Sequence, residues 1–192
     1  QTDSNTLVIF LNDNGGPIYT RVQSNEPLRL GKLFLFEGGI RVPMIMSWPG
    51  VLEYGSVYRK PVSSLDIYPT LCAAAGIKLP SELQLDGVDL LPHLNGEKKA
   101  APHKSLFWSN GPNKAVRIEQ WKMVQAHDHV WLFDLENDIG ESKNLAKVKP
   151  EILKKLQAEL NQWQAQMKPP AWPSKPKRRK IKVDGALYEL NI

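Results

Sequence analysis

Apolar and polar positions give the chain two textures, with a change near residue 100. Before it, apolar residues come in short continuous runs. Residues 6–11, TLVIFL, are mostly β-branched or aromatic, which predicts a strand buried on both faces. A second run at 42–48, VPMIMSW, is expected to lie beside it, and Pro49 and Gly50 stop it. Residues 17–30, carrying Pro, Asn and Ser, read as a loop. Ser64 or Asp66 is placed to cap a helix reaching about Ala75, with Pro69 tolerated in its first turn and Gly76 ending it.

From Ser105 the runs SLFW, AVRI, WKMVQA and VWLFDL alternate with turn residues, and this pattern predicts an antiparallel meander. Residues 150–167 then place Ile152, Leu153, Leu156, Leu160, Trp163 and Met167 at three- and four-residue steps. That is one apolar stripe of a helix about 27 Å long, enough to cover one face of the meander. After residue 167 the chain is Pro-rich, then basic. Asp184 and Gly185, between extended runs at 181–183 and 187–190, predict a terminal hairpin.

Composition narrows the classes. A chain of 192 residues with 42% hydrophobic content can bury a core and is not disordered. The formal charge is +5, and much of the excess sits in PSKPKRRKIK at 173–182. The body is therefore near balance, which speaks against nucleic acid as a partner. The basic run reads as solvated, with attraction to a sulfated polyanion or mimicry of a nuclear signal as alternatives. No apolar run approaches the roughly eighteen residues of a membrane span. The first residue, Gln1, suggests a cropped or processed chain. Cys72 is the one cysteine, so internal disulfides and thiolate clusters are excluded; within TLCAAAG it reads as a small packed hydrophobe with no basic neighbour to activate it.

Candidate chemistry begins at Asp13 and Asn14. They follow the first strand, and open α/β sheets bind ligands beyond the carboxyl ends of their strands. One charged and one amide oxygen suit a hard cation such as calcium, which needs about six to eight ligands, so other ligands must come from elsewhere. Lys32, judged by its immediate surroundings, is a solvated loop lysine. Glu37, Gly38, Gly39 and Arg41 read as structural: the glycines free the backbone, and Glu37 and Arg41 can satisfy each other. Asp66 is explained by capping at least as well as by acid catalysis. His127 and His129 flank Asp128 as solvated turn residues, and His93 and His103 have no partners at ligand spacing.

The strings LNDNGG, PLRLGK, FEGGIRVP, WPG, SSLDIYPTL and LDGVDLLPHLNG, in that order, resemble the later part of the type I sulfatases, of the alkaline phosphatase superfamily. AVRIEQWKMV and WLFDLENDIGESKNLA carry the resemblance to about Ala146. It implies an α/β fold: the C-terminal part of a doubly wound sheet over 1–100, a small α+β subdomain of meander and helix over 101–167, and a basic tail over 168–192. It also implies hydrolysis of carbohydrate or aryl sulfate esters. Asp13 and Asn14 would be ligands of one calcium ion, and Lys32 the sulfate contact and the catalytic residue in this chain. The formylglycine nucleophile, made from a CxPSR-like motif absent here, and the remaining calcium ligands would belong to an N-terminal part of the same enzyme. The chain alone is therefore expected to be inactive. Sulfatases show small residues beside this lysine, in the manner of GGKGT, where this chain has Leu30, Leu33 and Phe34, a bulk expected to narrow the pocket mouth. The implied partners are a sulfated small molecule or glycan, and the implied compartments are periplasmic, secreted or lysosomal. Loops at 108–113 and 127–129 are places for sugar or aryl contacts. The rival readings are a phosphoester or phosphonate hydrolase of the same superfamily and a noncatalytic relative that binds anionic glycans.

Overall fold

A computed structural model of the chain gives residues 5–20, 23–168 and 178–191. Two compact units form, Gln1–Leu11 with Pro43–Lys104, and Asn12–Val42 with Ser105–Ile192. This differs from the expected division at residue 100, because Phe34, Leu35 and Phe36 belong to the core of the meander.

In the first unit, β1 (Val8–Leu11) pairs antiparallel with β2 (Met44–Ser47), from Val8 opposite Ser47 to Leu11 opposite Met44. The expectation that the first strand is buried on both faces is corrected here. Val8 and Phe10 are each 56% exposed and Ile45 61%. Exposed and partly buried residues alternate along both strands, so one face of this period-two ribbon is partly covered and the other is open.

Ser63, one residue before the expected cap, opens the next helix. Its side chain accepts Leu65 N–H, while Asp66 Oδ2 accepts Ser63 N–H at 2.8 Å, the reciprocal arrangement of a capping box. The short 3₁₀ turn Ser64–Asp66 leads into α2 (Ile67–Ala74). Gly76, at φ 68°, ends it in a Schellman arrangement, with Ile77 N–H donating to Cys72 O and Gly76 N–H to Ala73 O. Cys72 is buried and free. Asp66 is fully buried and also accepts from Val88 N–H at 2.9 Å and faces His103 Nε2 at 2.8 Å. His103 thus pairs with Asp66, and His93 meets the Ala100 carbonyl at 3.1 Å. Both histidines tie loops down. Unit one also contains the single turn α3 (Leu91–Leu94).

The second unit is built on the meander β3 (Ser105–Asn110), β4 (Asn113–Ile118), β5 (Trp121–Ala126) and β6 (His129–Asp134). Two-residue loops join the strands, and Gly111, Glu119 and His127 take the positive φ that such tight turns require. Alternation sends Val116, Met123 and Leu132 to one face, where Leu156 and Leu160 of α4 (Pro150–Ala165) cover them. Trp163 stacks on Phe107 with ring centroids 5.1 Å apart. Met167 lies beyond the helix and is half exposed, so the stripe ends at Trp163.

The opposite face presents Ala115, Val124, Ala126, Trp131 and Phe133. Phe34 to Phe36 and a hairpin of β7 (Arg178–Val183) and β8 (Ala186–Asn191) bury it, through Val183, Tyr188 and Leu190. Asp184 and Gly185 both have positive φ at the hairpin turn, as a type I′ turn requires. The basic run thus becomes a strand from Arg178 onward, and 173–177 lies outside the described residues. His127 and His129 are only half-exposed: His127 Nε2 lies 3.5 Å from Glu189 Oε1, and the His129 ring contacts Trp131.

Truncating Leu160, fully buried between helix and sheet, leaves a cavity. Leu160→Ala is expected to cost about 2–5 kcal/mol of stability, read as a lower urea midpoint at unchanged slope; a loss near zero would contradict this packing.

Candidate functional site

Asp13, Asn14 and Lys32 all lie in the second unit. Residues 12–16 and 31–39 run close together because glycines line the contact. A Cβ on Gly15 would sit 1.7 Å from Gly38 O, and one on Gly31 would sit 2.1 Å from Gly16 O. Gly15 N–H donates to Gly39 O at 3.0 Å and Lys32 N–H to Gly16 O at 3.2 Å. Asn25 closes the arrangement: its Oδ1 accepts Gly16 N–H, and its Nδ2 donates to Gly16 O and Leu30 O, each at 2.9 Å. The Asp13–Asn14 turn and the Lys32 loop are thereby one backbone construction.

Asp13 is exposed, and its Oδ1 accepts the Asn14 N–H at 2.9 Å. Its Oδ2 and the Asn14 amide oxygen accept no hydrogen bond among the described residues, nor does the ammonium of Lys32, a half-buried residue, form an ion pair there. Two hard oxygen donors on adjacent residues fit part of a calcium shell of about six to eight ligands. Among the described residues no group of three or more His, Cys, Asp or Glu side chains converges on a metal position, so the oxygens present make up only a fraction of such a shell.

Leu30 and Leu33, flanking Gly31 and Lys32, adopt left-handed φ values of 60° and 79°. Their side chains pack against the core, and Phe34 is buried with its ring centroid 5.3 Å from that of Tyr188. The expectation that this bulk narrows a pocket mouth is corrected: the side chains turn inward.

Beneath the loop lies a buried charge cluster. Phe36 leads into α1 (Glu37–Ile40), and Lys122 Nζ, completely buried, sits 2.8 Å from Glu37 Oε1 and 2.9 Å from Glu141 Oε1. Glu141 Oε2 accepts the Glu37 backbone N–H at 2.6 Å. Arg41 and Arg117 approach Glu37 Oε2 at 3.6 and 3.9 Å. The expected pairing of Glu37 with Arg41 is therefore present but secondary to Lys122. Burial pushes the Glu37 carboxyl up, yet Lys122, Arg117 and Arg41 outweigh it and hold it below the ordinary value. Burial, with the Glu37 charge beside it, leaves the Glu141 carboxyl above the ordinary value despite Lys122. Sequence reasoning missed Lys122, Glu141 and Asn25. For Lys122 a signal existed: period-two alternation in WKMVQA puts it on the same face as Val124 and Ala126.

A family model described as "N-sulphoglucosamine sulphohydrolase, C-terminal" matches residues 29–166. The uncharacterized sulfatase YdeN of Escherichia coli is 30% identical over 86% of this chain and 36% of its own length. Arylsulfatase A of Bos taurus is 38% identical over 77% of this chain and 36% of its own. The crystal structure of Ps i-CgsB in complex with k-i-k-neocarrahexaose superposes with a TM-score of 0.78 at 34% identity, over 88% of this chain and 39% of that one. The chain spans about a third of the length of the curated relatives it matches.

Replacing Lys122 by Met leaves two buried carboxylates without their shared cation and is expected to cost about 3–5 kcal/mol, measurable by urea unfolding. The pH dependence has two opposed parts. The stability due to Glu37 is present above about pH 4.5 and lost as pH falls through its depressed folded value; that due to Glu141 is fullest below about pH 4.5 and lost as pH rises through its raised one. Glu141→Gln should therefore make the slope of stability against pH more positive above about pH 4.5; an unchanged slope in unfolding titrations at stepped pH would count against this assignment.

Proposed function

The chain belongs to the sulfatase family and corresponds to the C-terminal portion of its members, and we propose that it supplies part of a site that hydrolyses sulfate esters. The reading rests on one construction, in which Gly16 and Asn25 tie a carboxylate–amide turn to a lysine whose ammonium has no internal partner among the described residues. In this reading Asp13 and Asn14 hold a calcium ion whose other ligands come from an N-terminal part of the same enzyme. Calcium bound there would withdraw charge from the sulfate oxygens. The nucleophile, a formylglycine, also belongs to that part.

Lys32 has the chain's direct role toward substrate. Its ammonium is a compact charge on a flexible stem, suited to an anionic group whose charge shifts as the ester bond breaks. A fixed cation at that point stabilises the transition state without reorganising during the reaction. Rigidity of the backbone at Lys32 is what the glycine contacts and Asn25 provide. Relatives whose names refer to steryl and aryl sulfates, and a neighbour solved in complex with k-i-k-neocarrahexaose, make sulfated carbohydrates and aryl sulfates the substrate classes to try. No helix among the described residues is long and apolar enough to cross a membrane; the proposed compartment, by kinship, is periplasmic, secreted or lysosomal.

Inorganic sulfate release by the full-length protein from a panel of aryl and carbohydrate sulfates tests the proposal. Lys32→Ala is expected to lower kcat by about 10²–10³, Asp13→Asn should weaken calcium retention in metal analysis, and the isolated 192-residue chain should not turn over. Release of phosphate rather than sulfate from matched esters, with zinc retained, would overturn it.

A further inference from the structure

The hairpin β7–β8 takes hold of the Lys32 segment on both sides of the lysine. Arg29, three positions before it, donates from Nη2 to Asp184 Oδ1 at 2.5 Å and from Nη1 to the Glu141 carbonyl at 2.8 Å. Leu35, three positions after it, donates its buried backbone N–H to the Tyr188 hydroxyl at 3.0 Å. Each hairpin residue is itself fixed. Asp184 accepts Trp131 Nε1–H at 2.9 Å, and the Tyr188 ring packs against Phe34 and Phe36 with centroids 5.3 and 6.0 Å apart. Arg29 also lies over the Phe36 ring, 4.9 Å from its centroid.

Between these two grips stand Leu30 and Leu33, both left-handed. An L-residue with a side chain reaches that region only against a steric penalty, and it persists there when its surroundings over-determine it. Packing of the two leucine side chains on the core supplies one constraint. The held ends at Arg29 and Leu35 supply the other. The family match stops at residue 166, so the element that provides these grips lies beyond the matched region.

We propose that the C-terminal hairpin is a clasp on the Lys32 loop, with Asp184 and Tyr188 as positioning residues that keep its backbone in the conformation from which the ammonium is presented. The inference rests on the reading of Lys32 as the sulfate contact. Neither residue touches substrate; both act through Lys32.

The test uses the full-length protein with Asp184→Asn, which keeps the shape but removes the charge and leaves one oxygen for the two donors Arg29 and Trp131, and with Tyr188→Phe, which removes the hydroxyl that accepts Leu35 N–H. Amide hydrogen exchange over residues 30–35 should quicken about tenfold or more in each variant, while exchange in β4 and β5 stays as in the parent. Sulfate release should fall about three- to thirtyfold in kcat/KM with Lys32 present, and by less than about twofold when the same changes are made on Lys32→Ala, since coupled residues do not add. Unchanged exchange over 30–35 overturns the clasp. Equal losses of kcat/KM in both backgrounds also overturn it, leaving the hairpin as packing only. If Lys32→Ala by itself leaves kcat/KM intact, the sulfate-contact reading falls, and the exchange result still decides whether the hairpin holds the loop.

Discussion

Lys122, on β5 of the second unit, is fully buried with a carboxylate on either side. An ammonium taken out of water costs several kcal/mol unless paired and hydrogen-bonded, and here the pairing brings together three separate pieces of chain. Glu37 belongs to α1, Lys122 to β5, and Glu141 to the loop after β6. On β4 the cross-strand neighbour of Lys122 is Arg117, so two cations stand opposite each other on adjacent strands. Like charges so placed repel. Glu37, within reach of both, removes that conflict, and Glu141 completes the balance by also accepting the first N–H of α1. Such a cluster adds little net stability compared with a well-packed apolar core, but breaking it is costly, which makes it a device for fixing one arrangement.

What it fixes is the chain that carries Lys32. Glu37 follows Phe36, and Phe36 packs on Trp131 and Phe133 of the sheet. With α1 pinned, Gly38 and Gly39 can lie against Arg29, Leu30 and Gly31 closely enough that a Cβ on Gly38 would sit 2.3 Å from Leu30 O. The Asp13–Asn14 turn then comes to rest on the same backbone through Gly15 and Gly39. Charge burial, aromatic packing and glycine contacts thus converge on a single short loop. A polar hub of the same kind organises the first unit, where Asp66 serves the helix cap, the Val88 amide and His103 together.

Residue periodicity alone predicted the meander, α4 and the terminal hairpin, because each is a local pattern: alternation for the strands, three- and four-residue steps for the helix, and a β-turn pair at Asp184–Gly185. The motif order identified the family without reference to any contact. Boundaries shifted where local competition was close, as at Ser63, which caps one residue ahead of Ser64, and at Met167, which falls past the last helical turn.

Asp13, Asn14 and Lys32 were legible as candidates because their residue types and surrounding strings carry the chemistry. Their support was not. Lys122 lies 85 positions from Glu37, and Tyr188 lies 153 positions from Leu35, and no local pattern encodes separations of that size. The sequence also could not say that Leu30 and Leu33 would turn toward the core, since a left-handed leucine is chosen by its surroundings against its own preference. Element types were therefore determined by the chain's own periodicity. Which charges met, which bulky side chains pointed inward and what gripped the lysine loop were decided only when distant segments packed against one sheet.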